Sequence, residues 1–426
     1  MAFRRLFGIG AVAAGLVAFT CQGISAAAAS SSASAPGITA TTIRIGYLSS
    51  LTGAAASSFA DGDKGAQAAI DAQNAQGGVN GRKLQLVTAD DESSPTVDLT
   101  AAQKLVEVDG VFSVISFSAA QDLGVQYFQR QGVPVTGYML DGNEWLDQPN
   151  SDLFTYGFTN ANVQGQTAYS DLVIANELKE MGVTKLAGLA YGASSGSIDA
   201  VQAVVIAAKK IGIQTCYENL SVPFGGVDFT ADVLAIQSAG CNGVIGTFVD
   251  ASDIALSAAL KQGGYTGKQL YETGYDDGVL SSPSSLSALD GDYITSAGYY
   301  SQSIPAVKTM FAAFKKYIPG YKVGIPDLGL AGSYISAELM IKGLEEAGTN
   351  PTRKSFIQSL RKVTNYNAGG LLATPVSFTG FGTPAMFPTK ECSYLIQLKG
   401  TKYVVGKSNG VVCGARISFP SSKLSS

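Results

Sequence analysis

The chain has 426 residues, 46% hydrophobic and 15% charged, with 29 basic and 33 acidic side chains and a net charge of −4. Two globular domains of ordinary size fit that length, and without a basic run no nucleic-acid partner is expected. Histidine is absent, which excludes Ser-His-Asp and Cys-His nucleophiles, a histidine general base and histidine-ligated metals.

Arg4 and Arg5 precede an apolar run over 6–20 that is too short to span a bilayer, so residues 1–28 read as a secretion signal. Cleavage among 26–29 would leave 27 basic against 33 acidic residues, a net charge of −6. An Ala/Ser tract over 29–40 reads as a flexible tether. No later segment reaches membrane-spanning length without charges.

A short apolar strand over 43–48 opens the patterned chain, followed by the loop Ser50-Leu51-Thr52-Gly53 and an amphipathic helix over 65–74. The string Gly77-Gly78-Val79-Asn80-Gly81-Arg82-Lys83-Leu84 stops that helix, because three glycines and an asparagine readily supply positive φ. Residues 84–87 alternate into a strand ending at Asp90-Asp91. Strand, helix, tight turn and strand make one βαβ unit, the seed of a parallel sheet. A helix opens at Pro95 and runs to 109, followed by strand 111–117, helix 118–131 and strand 133–138. The pattern breaks around 153–158, and a second alternation begins. It runs helix 162–181, strand 185–191, helix 197–211, strand 214–222, helix 229–239, strand 243–249, helix 252–262 and strand 269–273. After 294–296 come helical patterns at 306–317, 328–347 and 351–363, then short strands at 376–378, 394–398 and 403–405.

The stretch from Ile45 to Pro95 resembles a known family. Its apolar strand, Leu51-Thr52-Gly53, Gly65-Ala66 with Ala69-Ile70, the 77–84 string and Asp90-Asp91 ahead of Pro95 are similar to the type I periplasmic binding proteins. Within them the leucine/isoleucine/valine-binding branch, the substrate-binding proteins of ABC importers, is the nearest. The resemblance implies an α/β fold of two doubly wound parallel-sheet lobes joined by three crossings, near Tyr156, Ala297 and Leu372. Lobe 1 would hold 41–156 and 298–372, and lobe 2 157–297 and 373–426. The implied function is extracytoplasmic capture of a small polar ligand, an amino acid or related carboxylate or amide. Hinge closure over an interlobe cleft would precede delivery to an ABC permease. A monomer without enzymatic activity or cofactor is expected. Membrane attachment would come only through lipidation at Cys21, the rival to cleavage, although Ala18-Phe19-Thr20-Cys21 departs from the usual lipobox. A ligand-sensing receptor partner shares the fold, and a secreted hydrolase is the rival from a different class.

The hydrolase rests on Gly192-Ala193-Ser194-Ser195-Gly196, a G-x-S-x-G string between strand and helix. With no histidine to activate the serine, it reads instead as a βα turn whose Ser194 and Ser195 face the cleft. Ser118, between a strand and a helix, reads as an N-cap whose hydroxyl, with the amides of Ala119 and Ala120, favours an acceptor group. By resemblance it occupies the place of the family's carboxylate-binding serine. Tyr138-Met139-Leu140-Asp141 corresponds to the second ligand segment, with Asp141 where amino-acid binders place a threonine. Phe59, Tyr191, Phe248 and Tyr275 lie at strand ends or loops opening on the cleft, each with core packing as its plainer role. Asp250 and Asp276 would neutralise a positive part of the ligand across the cleft, or be solvated loop residues. Asp90 and Asp91 read as structural. No lysine or arginine lies near the Ser118, 138–141 or 194–197 segments in sequence. The cysteines lack C-x-x-C spacing and the glycine-rich loops lack a Walker lysine, so no metal site is expected.

Without Cys21, four cysteines remain in an oxidising compartment, allowing three connectivities. Only Cys216–Cys241 with Cys392–Cys413 keeps both bridges local, within lobe 2 as the resemblance assigns it.

Overall fold

The computed structural model describes residues 35–141, 144–147, 152–158, 161–163, 167–296, 303–322, 324–380, 383, 389–406 and 410–423. The secretion signal, Cys21 and the crossing near Ala297 lie outside the described residues. Residues 35–426 pack as one unit built on two sheets.

The first sheet holds β1 (Thr42–Ser49), β2 (Lys83–Asp90), β3 (Ser113–Ser116), β4 (Val135–Met139) and β5 (Leu153–Phe158), in the order β2-β1-β3-β4-β5. All neighbours are parallel. The glycine-rich turn makes the first return: Gly78 and Gly81 have φ of +77° and +79°, and Asn80 has φ of 50°. Asn74 locks it from the helix end, its side chain accepting from Leu84 N at 2.8 Å and donating to Leu84 O at 2.9 Å. The break in pattern at 153–158 is β5, the edge of this sheet.

The second sheet holds β6 (Ala161–Val163), β7 (Thr167–Asp171), β8 (Lys185–Tyr191), β9 (Gln214–Val222), β10 (Gly243–Thr247), β11 (Lys268–Tyr271), β12 (Tyr293–Ser296), β13 (Lys390–Lys399), β14 (Lys402–Val405) and β15 (Val411–Pro420). Its order is β6-β7-β15-β13-β12-β11-β10-β8-β9, with β14 beside β13. The run from β9 to β12 is parallel, whereas β13, β14, β15, β7 and β6 add antiparallel strands. The helix Leu328–Ala347 packs on the helix Gly62–Ala75 and on β4, so the chain returns to the first sheet before its tail joins the second. That helix pair is close: a Cβ at Gly65 would overlap the Leu330 carbonyl.

Four expectations fail locally. The helix read over 162–181 is β7 followed by a shorter helix, Val173–Glu180, because β15 pairs with β7 from Thr167 to Asp171. A distant partner thereby overrides local helix propensity. The strand read over 376–378 is a single bridge between Tyr366 and Val376. β15 itself was not anticipated. The helix read over 118–131 runs only from Asp122 to Arg130, with Gln121 at its N-cap, so Ser118 is not a helix cap.

Both cysteine pairs form. Cys216–Cys241 spans a Cα–Cα distance of 5.8 Å, and Cys392–Cys413 spans 4.1 Å between directly opposed residues of β13 and β15.

Candidate functional site

The carboxyl ends of the parallel strands in both sheets face one cavity of about 280 Å³. From the first sheet's side come Phe59, Phe117, Ala119, Tyr138, Leu140 and Tyr156. From the second come Tyr191, Phe224, Phe248 and Tyr275, with the polar groups Ser194, Thr247, Glu272, Thr295 and Arg416. Open α/β sheets place ligand crevices at this end of their strands.

Two rows of rings dominate the wall. Phe59, Phe117, Tyr138 and Tyr156 follow one another at centroid separations of 5.7, 6.3 and 5.3 Å. On the other side Tyr191 packs at 4.8 Å from Phe224 and 4.6 Å from Phe248. Tyr191 is held by its hydroxyl, which donates to Ser252 Oγ at 2.7 Å and accepts from Val249 N at 3.3 Å. Burial raises that phenol to about 12, so it stays neutral.

The sequence-read residues divide into three groups. Phe59, Ala119, Tyr138, Tyr191, Ser194, Phe248 and Tyr275 line the cavity. Ser118, Ala120, Met139, Asp250 and Asp276 stand behind its wall. Ser118 is fully buried, donating to the Asp91 carboxylate, contacting Ser50 Oγ at 3.0 Å and accepting from Ala120 N at 2.9 Å. Its hydroxyl and the Ala120 amide are therefore spent on each other and on an acid that burial pushes above the usual carboxylate range. Asp250 accepts from Gly274 N at 2.5 Å, and burial with nearby Asp276 raises it to about 7. Asp276 caps the short helix Asp277–Ser281, accepting from Val279 N at 2.6 Å.

The third group, Asp141 and Ser195, joins the two sides. Asp141 Oδ1 accepts from Ser195 Oγ at 2.7 Å and from Gly196 N at 2.8 Å, at the start of the helix Ser195–Lys210. A carboxylate there also meets the positive end of the helix dipole. A second link lies at the other edge, where Ser58 Oγ accepts from Asp250 N at 3.0 Å, at the start of the helix Asp250–Gln262. The approach is tight at Gly196, where any Cβ would overlap the Leu140 carbonyl oxygen. Within the G-x-S-x-G turn, Ser194 caps the same helix by accepting from Ser197 N at 3.0 Å.

Charge on the wall was the feature sequence reasoning missed. Arg416 pairs with Glu391 in the tail strands, beside Asp171 of β7. Burial, partly offset by Arg416, lifts Glu391 to about 7, and burial also raises Asp171. Neither Glu391 nor Arg416 fell within the short strands read in the tail, and no local signal pairs them. Among the described residues, no cluster of three potential metal-ligating side chains occurs.

A family model described as periplasmic binding protein matches residues 42–402. The chain is 27% identical over 337 residues to "Leu/Ile/Val-binding protein homolog 3" of Brucella melitensis, covering 75% of this chain and 83% of that protein. It is similar in fold to a fatty acid ABC transporter substrate-binding protein from Thermomonospora curvata (TM-score 0.69, 20% identity, 87% of this chain and 93% of that one). A solute-binding protein from R. palustris in complex with benzoate is also similar (TM-score 0.67, 17% identity, 88% and 97%). Matched over residues 42–402, most of its length, the chain belongs to the periplasmic binding protein family.

Proposed function

We propose that this protein is an exported solute receptor that captures a small organic molecule between its two sheets and presents it to an ABC importer. The observation that carries the reading is the cavity itself: both sheets wall it, and Asp141–Ser195/Gly196 and Ser58–Asp250 close its edges. Such links form only when the lobes, 41–156 with 298–372 and 157–297 with 373–426, approach each other. A ligand touching both walls favours the closed state by its differential affinity for it. The aromatic rows supply area for an apolar body, and Thr247, Thr295 and Ser194 supply neutral polar groups. No covalent step is proposed, and the protein acts as a monomer.

Relatives whose names point to branched-chain amino acids, fatty acid and benzoate set the range of ligands to test. A thermal-shift screen of amino acids, amides, aromatic and fatty acids and amines is the experiment, because a ligand that binds only the folded state raises its melting temperature. At least one compound should raise it in a concentration-dependent way. Failure of every class would overturn the reading.

A further inference from the structure

Among the described residues, the Glu272 carboxyl on the cavity wall has no hydrogen-bond partner. Glu272 follows β11 directly. The register pairs Tyr271 with Gly246 of β10 and Ile294 of β12, so the next rank is Thr247, Glu272 and Thr295, all three on the wall. The Glu272 side chain is partly buried, and it lines the cavity. It has no hydrogen-bond partner among the described residues, and burial alone lifts its carboxyl to about 7. A buried carboxyl is normally hydrogen-bonded or paired, since leaving it bare is costly.

The remaining charges decide what would match it. The wall carries the acids Asp171, Glu272 and Glu391 and one base, Arg416, which Glu391 already engages. Asp253, a fully buried acid close enough for Glu272 to raise it further, accepts from Thr273 Oγ1 at 2.7 Å through Oδ2 and lies outside the cavity lining, its Oδ1 having no partner among the described residues. An anionic ligand head at Arg416 would compete with Glu391 for the guanidinium, whereas a cationic head meets in Glu272 a carboxyl that no described residue engages. The Ser118 hydroxyl, read from the sequence as the anchor for an acceptor group, donates instead to Asp91. Around the cavity the rings of Tyr191, Phe248 and Tyr275 offer faces that attract a cation as well as an apolar body.

We propose that the cavity takes a ligand with an apolar body and a cationic nitrogen and no carboxylate, held through that nitrogen by Glu272. The inference rests on the solute-binding reading above and specifies its ligand class.

The test is calorimetric titration of matched pairs on the full protein: 2-phenylethylamine against 3-phenylpropionate, and n-octylamine against octanoate. L-Phenylalanine serves as the zwitterion. The amines should bind at least tenfold more tightly than their acids, and Glu272→Gln should remove that preference by weakening the amines tenfold or more. The glutamine amide still donates hydrogen bonds, so a ligand that accepts a proton from Glu272 would keep its affinity in the variant. Acids or the zwitterion binding more tightly than amines would overturn the inference, as would amine affinity unchanged in Glu272→Gln. If the amines fail while the broad screen yields an anionic or zwitterionic ligand, this inference falls and the solute-binding reading stands. If no compound of any class binds, both fall. Retention of both disulfides and of the unliganded melting temperature in Glu272→Gln confirms that the variant is folded.

Discussion

Asp141→Ala should hold the protein open. Asp141 is buried and accepts two hydrogen bonds from the second sheet's side, from Ser195 Oγ at 2.7 Å and Gly196 N at 2.8 Å. Hydrogen bonds to a charged group contribute roughly 1.5–3 kcal/mol each, but water replaces part of that in the open state. A net loss of about 2 kcal/mol for the pair corresponds to about a thirtyfold weaker apparent affinity if the latch forms only on closure. Two readouts apply to the same variant. Small-angle scattering of Asp141→Ala without ligand should give a larger radius of gyration than wild type. Titration with a compound from the screen should show the drop in affinity. Gly196→Ala removes no hydrogen-bonding group but wedges a methyl against the Leu140 carbonyl, and it should produce the same two changes. If both variants match wild type in radius and affinity, these contacts do not control closure and the reasoning is wrong.

Stability should depend on pH through Asp98. Burial first, and nearby Asp91 second, raise its carboxyl from 3.8 to about 8, so the folded state holds the proton more tightly than the unfolded chain. Its contribution is fully present below about pH 4 and is lost as pH rises through about 8. Asp98→Asn keeps an acceptor for Gly124 N and should flatten this trend, gaining at least about 1.4 kcal/mol on wild type between pH 5 and 8. Melting curves across that range decide it, and parallel curves would refute it. Replacing Cys392 and Cys413 together with alanine should cost about 3 kcal/mol, because their bridge closes a loop with a sequence separation of 21. Denaturant titration measures the loss, and an unchanged midpoint would contradict it.

How much was legible follows the range of the interactions involved. The turn at 77–84 could be read because its glycines and Asn74 act within a few residues, and the parallel strands because each carries its own apolar run. Of the cavity's rings, Phe59, Tyr138, Tyr191, Phe248 and Tyr275 were readable, whereas Phe117, Tyr156 and Phe224 were not singled out. What escaped depends on partners far away in sequence. β7 is a strand because β15 lies beside it, some 250 residues later, and the same pairing brings Arg416 to Asp171 on the cavity wall. Ser118 looked like a helix cap because nothing local shows that Asp91, from the end of β2 on the far side of β1, takes its hydroxyl. Asp141 looked like a ligand contact or a solvated residue because its partners, Ser195 and Gly196, follow β8 of the second sheet, far away in sequence. Glu272 was overlooked for the opposite reason: nothing in its own stretch distinguishes it, and its significance lies in having no partner among the described residues.

The most direct test of solute capture is to fill the cavity and ask whether binding stops. Ala119 lines it from a turn outside any helix, so a tryptophan there intrudes on a space of about 280 Å³ without breaking regular structure. Calorimetric titration of a compound from the screen into wild type and Ala119→Trp, with melting temperatures to confirm folding, makes the measurement. Binding by wild type and none by the folded variant is the predicted result. Equal affinity in the two would place the ligand elsewhere and contradict the account.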